Sequence, residues 1–142
     1  MWRLGVRQLA VCAVTAPAVA VAACASPTEV PAGALTARMV IDNKETSATY
    51  PVDCTQRGWL WTIETLPQTP GFTAIVETGG AVEPKVMRIH DLAGFTGSAA
   101  DDALAGAEME GTTIRVSGTA HGAFADRPTK PAEVQFEMEA HC

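Results

Sequence analysis

The chain has 142 residues, with ten basic and sixteen acidic side chains and a formal net charge of −6. That length suits a single domain. The acidic balance excludes nucleic-acid binding and general electrostatic adhesion to anionic headgroups, both of which need a basic stripe.

Arg3 and Arg7 make a positive start, and Leu9 to Ala23 is an apolar run of 15 residues broken at Pro17. A spanning helix needs roughly 20 apolar residues, but here polarity returns at Ser26, Pro27 and Glu29. Residues 1–23 are therefore expected to be a signal peptide. The run ends in Val21-Ala22-Ala23-Cys24. An aliphatic residue, two small residues and a cysteine are what the lipoprotein signal peptidase requires, because its substrate cysteine already carries a diacylglyceryl thioether. The alternative is cutting by the ordinary signal peptidase, which would leave Cys24 as a plain thiol. The first reading makes Cys24 the lipidation site and tethers the protein to the outer face of the cell membrane or envelope. Each buried methylene contributes about 0.8 kcal/mol, so two or three acyl chains anchor firmly where one does not.

From Cys24 onward the chain holds 8 basic against 16 acidic residues, a charge of −8. Residues 24–37, with Pro27, Pro31 and Gly33 and no apolar period, read as a flexible tether, and residues 38–142 as the domain. From Arg38 there are 27 large apolar residues, enough for one core and too few to line a large lipid cavity as well. Cys12 leaves with the signal peptide and Cys24 is consumed by lipidation. Cys54 and Cys142 remain, and an exported pair is expected to form a disulfide.

Met39 to Ile41 and Tyr50 to Cys54 read as strands around a turn at Asn43-Lys44-Glu45, with Pro51 marking a sheet edge. Trp59, Trp61 and Ile63 alternate with Leu60, Thr62 and Glu64 in a third strand. Two tryptophans at that spacing are ordinarily core; an exposed aromatic platform for a ligand or partner is the other reading. Phe72 to Thr78 and Lys85 to Leu92 give two more strands. Ser98 to Asp101 fits a capping box for a short helix ending near Leu104, whereas Ala107 to Val116 fits a hairpin through Glu110-Gly111, which we favour for that stretch. The last two strands alternate most strictly. Ile114, Val116 and Ala120 share one face, as do Val134, Phe136, Met138, Ala140 and Cys142. The whole predicts an all-β domain, an antiparallel β-sandwich or partly open barrel of about seven to eight short strands.

Several of these segments together resemble the mycobacterial LpqH-type lipoprotein antigens, the nineteen-kilodalton antigen family. They are the lipobox, Val40-Ile41-Asp42, Cys54, Val116-Ser117-Gly118-Thr119-Ala120-His121-Gly122 and Phe136-Glu137-Met138-Glu139-Ala140-His141-Cys142. The resemblance spans Met39 to Cys142 and is most specific in the final two strands. It implies an envelope lipoprotein antigen with roles in adhesion and immune modulation, whose acylated end is sensed by host Toll-like receptor 2, and it supplies no enzymatic mechanism. Members of that family are glycosylated on a Thr-rich tether, whereas this chain offers only Ser26, Thr28 and Thr36 there, a departure from the pattern. The two tryptophans depart from the family pattern.

Three histidines invite a metal reading. In the expected C-terminal hairpin His121 faces Glu133 and His141 faces Thr113, more than about 20 Å apart at 3.3 Å per residue, and His90 stands elsewhere. No metal, cofactor or catalytic residue is therefore assigned. The acids Glu133, Glu137 and Glu139 line one strand face, as solvated strands commonly arrange. The expected function is a lipid-anchored interaction module without catalytic activity. The alternative is an envelope carrier holding an apolar ligand near Trp59 and Trp61.

Overall fold

The structure, a computed structural model, describes residues 33–46 and 49–142. The expected signal peptide, Cys24 and most of the expected tether lie outside the described residues. No helix among the described residues is long and apolar enough to cross a membrane.

Ten strands are formed among the described residues: β1 Thr36–Ile41, β2 Lys44–Glu45, β3 Tyr50–Arg57, β4 Leu60–Thr65, β5 Gly71–Glu77, β6 Glu83–Leu92, β7 Phe95–Ala100, β8 Leu104–Glu110, β9 Thr113–Phe124 and β10 Ala132–His141. All pairings are antiparallel, in the order β10-β1-β3-β4-β5-β6-β7-β9-β8. A further β9–β10 pairing brings the order back on itself as a ring. The all-β expectation holds, in one continuous sheet.

The longest ladder is the C-terminal hairpin, Ala132↔Gly122 through His141↔Thr113. Its inward side chains, among them Ile114, Val116, Ala120, Val134, Phe136 and Met138, are buried, because a period of two turns every second residue to the same face. They meet Met39 of β1, Ile63 of β4, Phe72 and Val76 of β5, Met87 and Ile89 of β6 and Phe95 of β7 in one core. Phe95 also packs edge-on against Phe124, with centroids 5.4 Å apart. Thr65 is the one buried polar side chain among the described residues, and it accepts the Phe72 N–H at 2.9 Å.

β9 is paired along both edges. Opposite β10, its C-terminal half takes β7 (Phe95↔Phe124 to Ser98↔His121) and its N-terminal half takes β8 (Leu104↔Gly118 to Glu110↔Thr113). Two glycines of the Val116–Gly122 motif permit the exchange. A Cβ on Gly122 would collide with the Thr96 carbonyl and Gly97 Cα. One on Gly118 would lie 2.6 Å from the Ala103 carbonyl oxygen and 3.2 Å from the Phe136 ring.

Five expectations change. β1 begins at Thr36, two residues ahead of the expected domain start. Pro51 is not on a free edge: it faces Thr36 of β1, and its carbonyl accepts the Leu66 N–H on the other side. The joint to β1 lasts only two residue pairs, so little is lost by the missing donor. The capping box does not start an α-helix. Ser98 lies in β7, and only the 3-10 turn Asp101–Ala103 follows, with no side-chain cap. The favoured hairpin forms and is longer than expected, running from Leu104 to Gly118. Trp59 is not core: it occupies the β3–β4 turn and is 67% exposed.

Cys54 and Cys142 are joined, with Cα atoms 5.9 Å apart across a separation of 88 residues. The bond ties β3 to the end of β10 where β1, lying between them, begins. In the chain-entropy description, closing such a loop contributes on the order of 4 kcal/mol. Reduction, or Cys54→Ala with Cys142→Ala, is expected to lower unfolding stability by up to about that amount in a urea titration. Gly122→Ala should cost roughly 1–3 kcal/mol through overpacking. Gly80→Ala, with open space around its Cβ, should stay within about 0.5 kcal/mol in the same assay.

Candidate functional site

Two surface features hold the side chains singled out by composition and pattern. The first is an outward face over β8, β9, β10, β1 and β2. A groove of about 640 Å³ runs across it, floored by Val40, Ala105, Gly106 and Ser117 and walled by Arg38, Arg115 and four glutamates. The outward positions of these strands are polar by the same alternation that buries their other face. Arg115 Nε donates to Glu139 Oε2 at 2.8 Å, and its Nη1 lies 3.6 Å from Glu110. Arg38 lies 3.5 Å from Glu45.

The hydrogen bond from Arg115 holds the Glu139 carboxyl below the usual carboxylate range, and Glu139 in turn raises the Arg115 guanidinium. A general acid at neutral pH needs the opposite shift, a carboxyl raised by burial or a like charge. Glu139 is therefore held as the charged partner of an ion pair on this face.

The second feature is the β3–β4 tip. Arg57↔Leu60 closes the ladder, so Gly58 and Trp59 form a two-residue turn, with Gly58 at φ +58°. The Trp59 carbonyl accepts the Thr78 N–H at 2.7 Å and its hydroxyl at 3.1 Å. The indole lies against Gly79, where a Cβ would fall 2.8 Å from Trp59 Cγ. Trp61, two residues on, turns inward and packs half-buried against the core. The pair expected to share a face is thus divided between solvent and core, and neither tryptophan lines the groove.

The histidines fall as the hairpin register requires. His121 is 3.4 Å from Glu133 at one end of the ladder, and His141 bonds Thr113 at 3.1 Å at the other. His90 pairs with Gly71 on β6. Among the described residues no group of three or more His, Cys, Asp or Glu side chains could hold a metal ion. One role was missed in the sequence: Asp42. At φ +49° it begins the β1–β2 turn, and its Oδ1 and N–H clamp the N–H and carbonyl of Gln135 at 2.9 and 2.8 Å. Asp-Asn between two apolar-polar runs was the available signal.

The disulfide, the glycine seam of β9 and the Asp42 clamp account structurally for the segments within the β-domain quoted for the family resemblance, and comparison with known proteins agrees. The family described as Mycobacterium 19 kDa lipoprotein antigen matches residues 30–142. The chain belongs to that family. A chain of Mycobacterium avium subsp. hominissuis, whose name also describes a lipoprotein, is 32% identical over 144 residues, covering 99% of each. Lipoprotein LpqH of Mycobacterium tuberculosis (strain H37Rv) is 28% identical over 115 residues, covering 79% of this chain and 72% of the relative. Lipoprotein LpqH of Mycobacterium avium is 26% identical over 108 residues, covering 74% and 67%. The protein is thus a lipoprotein antigen, and a lipoprotein associates with a membrane.

The Arg115–Glu139 pair gives a test of the first face. Glu139 has a folded-state midpoint below its unfolded one, so its contribution is present at neutral pH. It is lost as pH falls through the depressed midpoint. In a side-chain NMR titration, Arg115→Gln should return the Glu139 midpoint toward the ordinary value. The change in stability should be small, because the pair is solvent-exposed and screened.

Proposed function

We propose that the protein is a non-catalytic interaction module of the mycobacterial envelope, held on the outer face of the cell membrane by acyl chains on Cys24. In this reading residues 1–23 are the signal peptide, and Cys24 becomes the first residue of the mature chain. A short tether carries the β-domain that starts at Thr36. The observation that carries it is the Val21-Ala22-Ala23-Cys24 sequence upstream of a domain whose relatives are named lipoproteins. The densely buried core supports an interaction module over a carrier, because the apolar residues are spent on the domain's own packing. The acylated terminus is what a host receptor such as Toll-like receptor 2 would read, and the folded domain would present the ion-paired outer face.

Cys24→Ser decides the anchor when residues 1–23 are replaced by a signal peptide whose cleavage does not need the thioether. The variant should leave the membrane fraction and lose Toll-like receptor 2 reporter activation, since about 0.8 kcal/mol per methylene disappears with the acyl chains. Retention of this variant in the membrane would mean that something other than the acyl chains holds the domain there.

A further inference from the structure

From the position of Trp59 we infer that the β3–β4 tip is a membrane-contact element, on which the domain stands with the indole seated in the headgroup region of the bilayer. This rests on the lipid-anchor reading above. Large exposed apolar residues occur singly on many surfaces, so exposure alone decides nothing. What decides is where the tip sits relative to the incoming chain. β1 starts at Thr36, opposite Pro51 of the antiparallel β3. Upstream of β1 the chain still follows β3, the Leu35 carbonyl accepting the Val52 N–H at 3.0 Å. Everything in β3 after Pro51 therefore runs back toward the side from which the chain arrives. The six residues to Arg57 carry the tip about 20 Å in that direction at 3.3 Å each. The residues between Cys24 and Gly33 span at most about 30 Å even when fully extended. An acylated Cys24 thus confines the tip to the neighbourhood of the bilayer and leaves it long enough a leash to touch.

Chemistry and charge fit that occupant. Indole, apolar in body with one polar N–H, favours the membrane interface. Trp59 is 67% exposed and the adjacent Leu60 40% exposed. The tip is held in place before contact by the two hydrogen bonds from Thr78 and by the seat on Gly79, so little ordering remains to be lost on insertion. The chain from Cys24 carries −8, which an anionic leaflet repels. Residues 57–60 and 78–82 carry only the positive Arg57. The two glutamates behind them, Glu77 opposite Leu60 and Glu83 beside Glu77, are both bridged by Lys85, so this end sums to zero. The tip therefore approaches such a surface with less repulsion than the −8 of the whole domain would give.

The test uses the mature acylated protein, reconstituted in phosphatidylcholine vesicles with and without phosphatidylglycerol. A Trp61→Phe background leaves Trp59 as its only tryptophan once residues 1–23 are removed. Vesicle flotation reports the anchor. Quenching of Trp59 by iodide from water and by shallow doxyl-labelled lipid from the membrane reports the tip. Vesicle-bound protein should show iodide quenching reduced about threefold relative to Cys24→Ser protein in solution, and doxyl quenching of roughly half the emission. Flotation with Trp59 as open to iodide as in solution would overturn the tip proposal and leave the anchor standing. Failure to float would overturn both. Protection of Trp59 in Cys24→Ser protein without vesicles would assign the tip to a second copy of the chain and overturn the proposal. If Trp61→Phe does not fold, the difference between wild type and Trp59→Phe reads the same site.

Discussion

The structure depends on β9 being hydrogen-bonded along both edges. A twisted antiparallel sheet left open would present unpaired N–H and C=O groups at two ends. Here the ends meet on one strand, with β10 along one edge and β7 followed by β8 along the other. A single strand can serve three partners only if the backbones of two of them pass very close to it. Gly118 and Gly122 provide that approach, standing where any side chain would strike Ala103 or Thr96. The inward residues of the same strand, Ile114, Val116 and Ala120, then sit at the heart of the core. Closure and core are consequences of one alternating sequence.

The disulfide completes the closure where hydrogen bonding is thinnest. β1 meets β3 across only Thr36↔Pro51 and Ala37↔Tyr50, whereas it meets β10 from Thr36↔His141 to Ile41↔Phe136. A proline stands in the short joint and cannot donate to it. A covalent link from Cys54 to Cys142 spans this joint directly. It also fixes the C-terminus beside the site where the N-terminal chain enters the fold.

Legibility in the sequence followed the range of the interactions involved. β9 and β10 could be read because strict alternation over ten residues is local information, and their register placed His121 opposite Glu133 and His141 opposite Thr113. The disulfide could be read from the cysteines left after processing and from parity. β7 could not, because Phe95-Thr96-Gly97-Ser98-Ala99-Ala100 has small residues where a strand usually shows branched ones, and its strand character comes from β6 and β9 on either side. Local propensity suggested a helix, and tertiary pairing prevailed. The division of Trp59 from Trp61 was equally hidden. A period of two puts both on one face, but a positive φ at Gly58 takes Trp59 out of the ladder, and Thr78, nineteen residues away, fixes where it goes.

That placement bears on how an acidic domain lives beside a membrane. Net charge describes the far field, which falls off over about 8 Å at physiological ionic strength. Contact is decided by what occupies the first few ångströms. Five of the ten glutamates stand on β8 and β10, where Arg115 partly neutralises Glu110 and Glu139, and Arg38 meets Glu45 on β2. Trp59 and Leu60 stand on the β3–β4 hairpin next to Arg57, with Glu77 and Glu83 behind them bridged by Lys85. A molecule so arranged meets less repulsion from a like-charged surface at this tip than over its glutamate-bearing face. The polar groove then lies on a different set of strands from the tip, free to meet whatever approaches from solution.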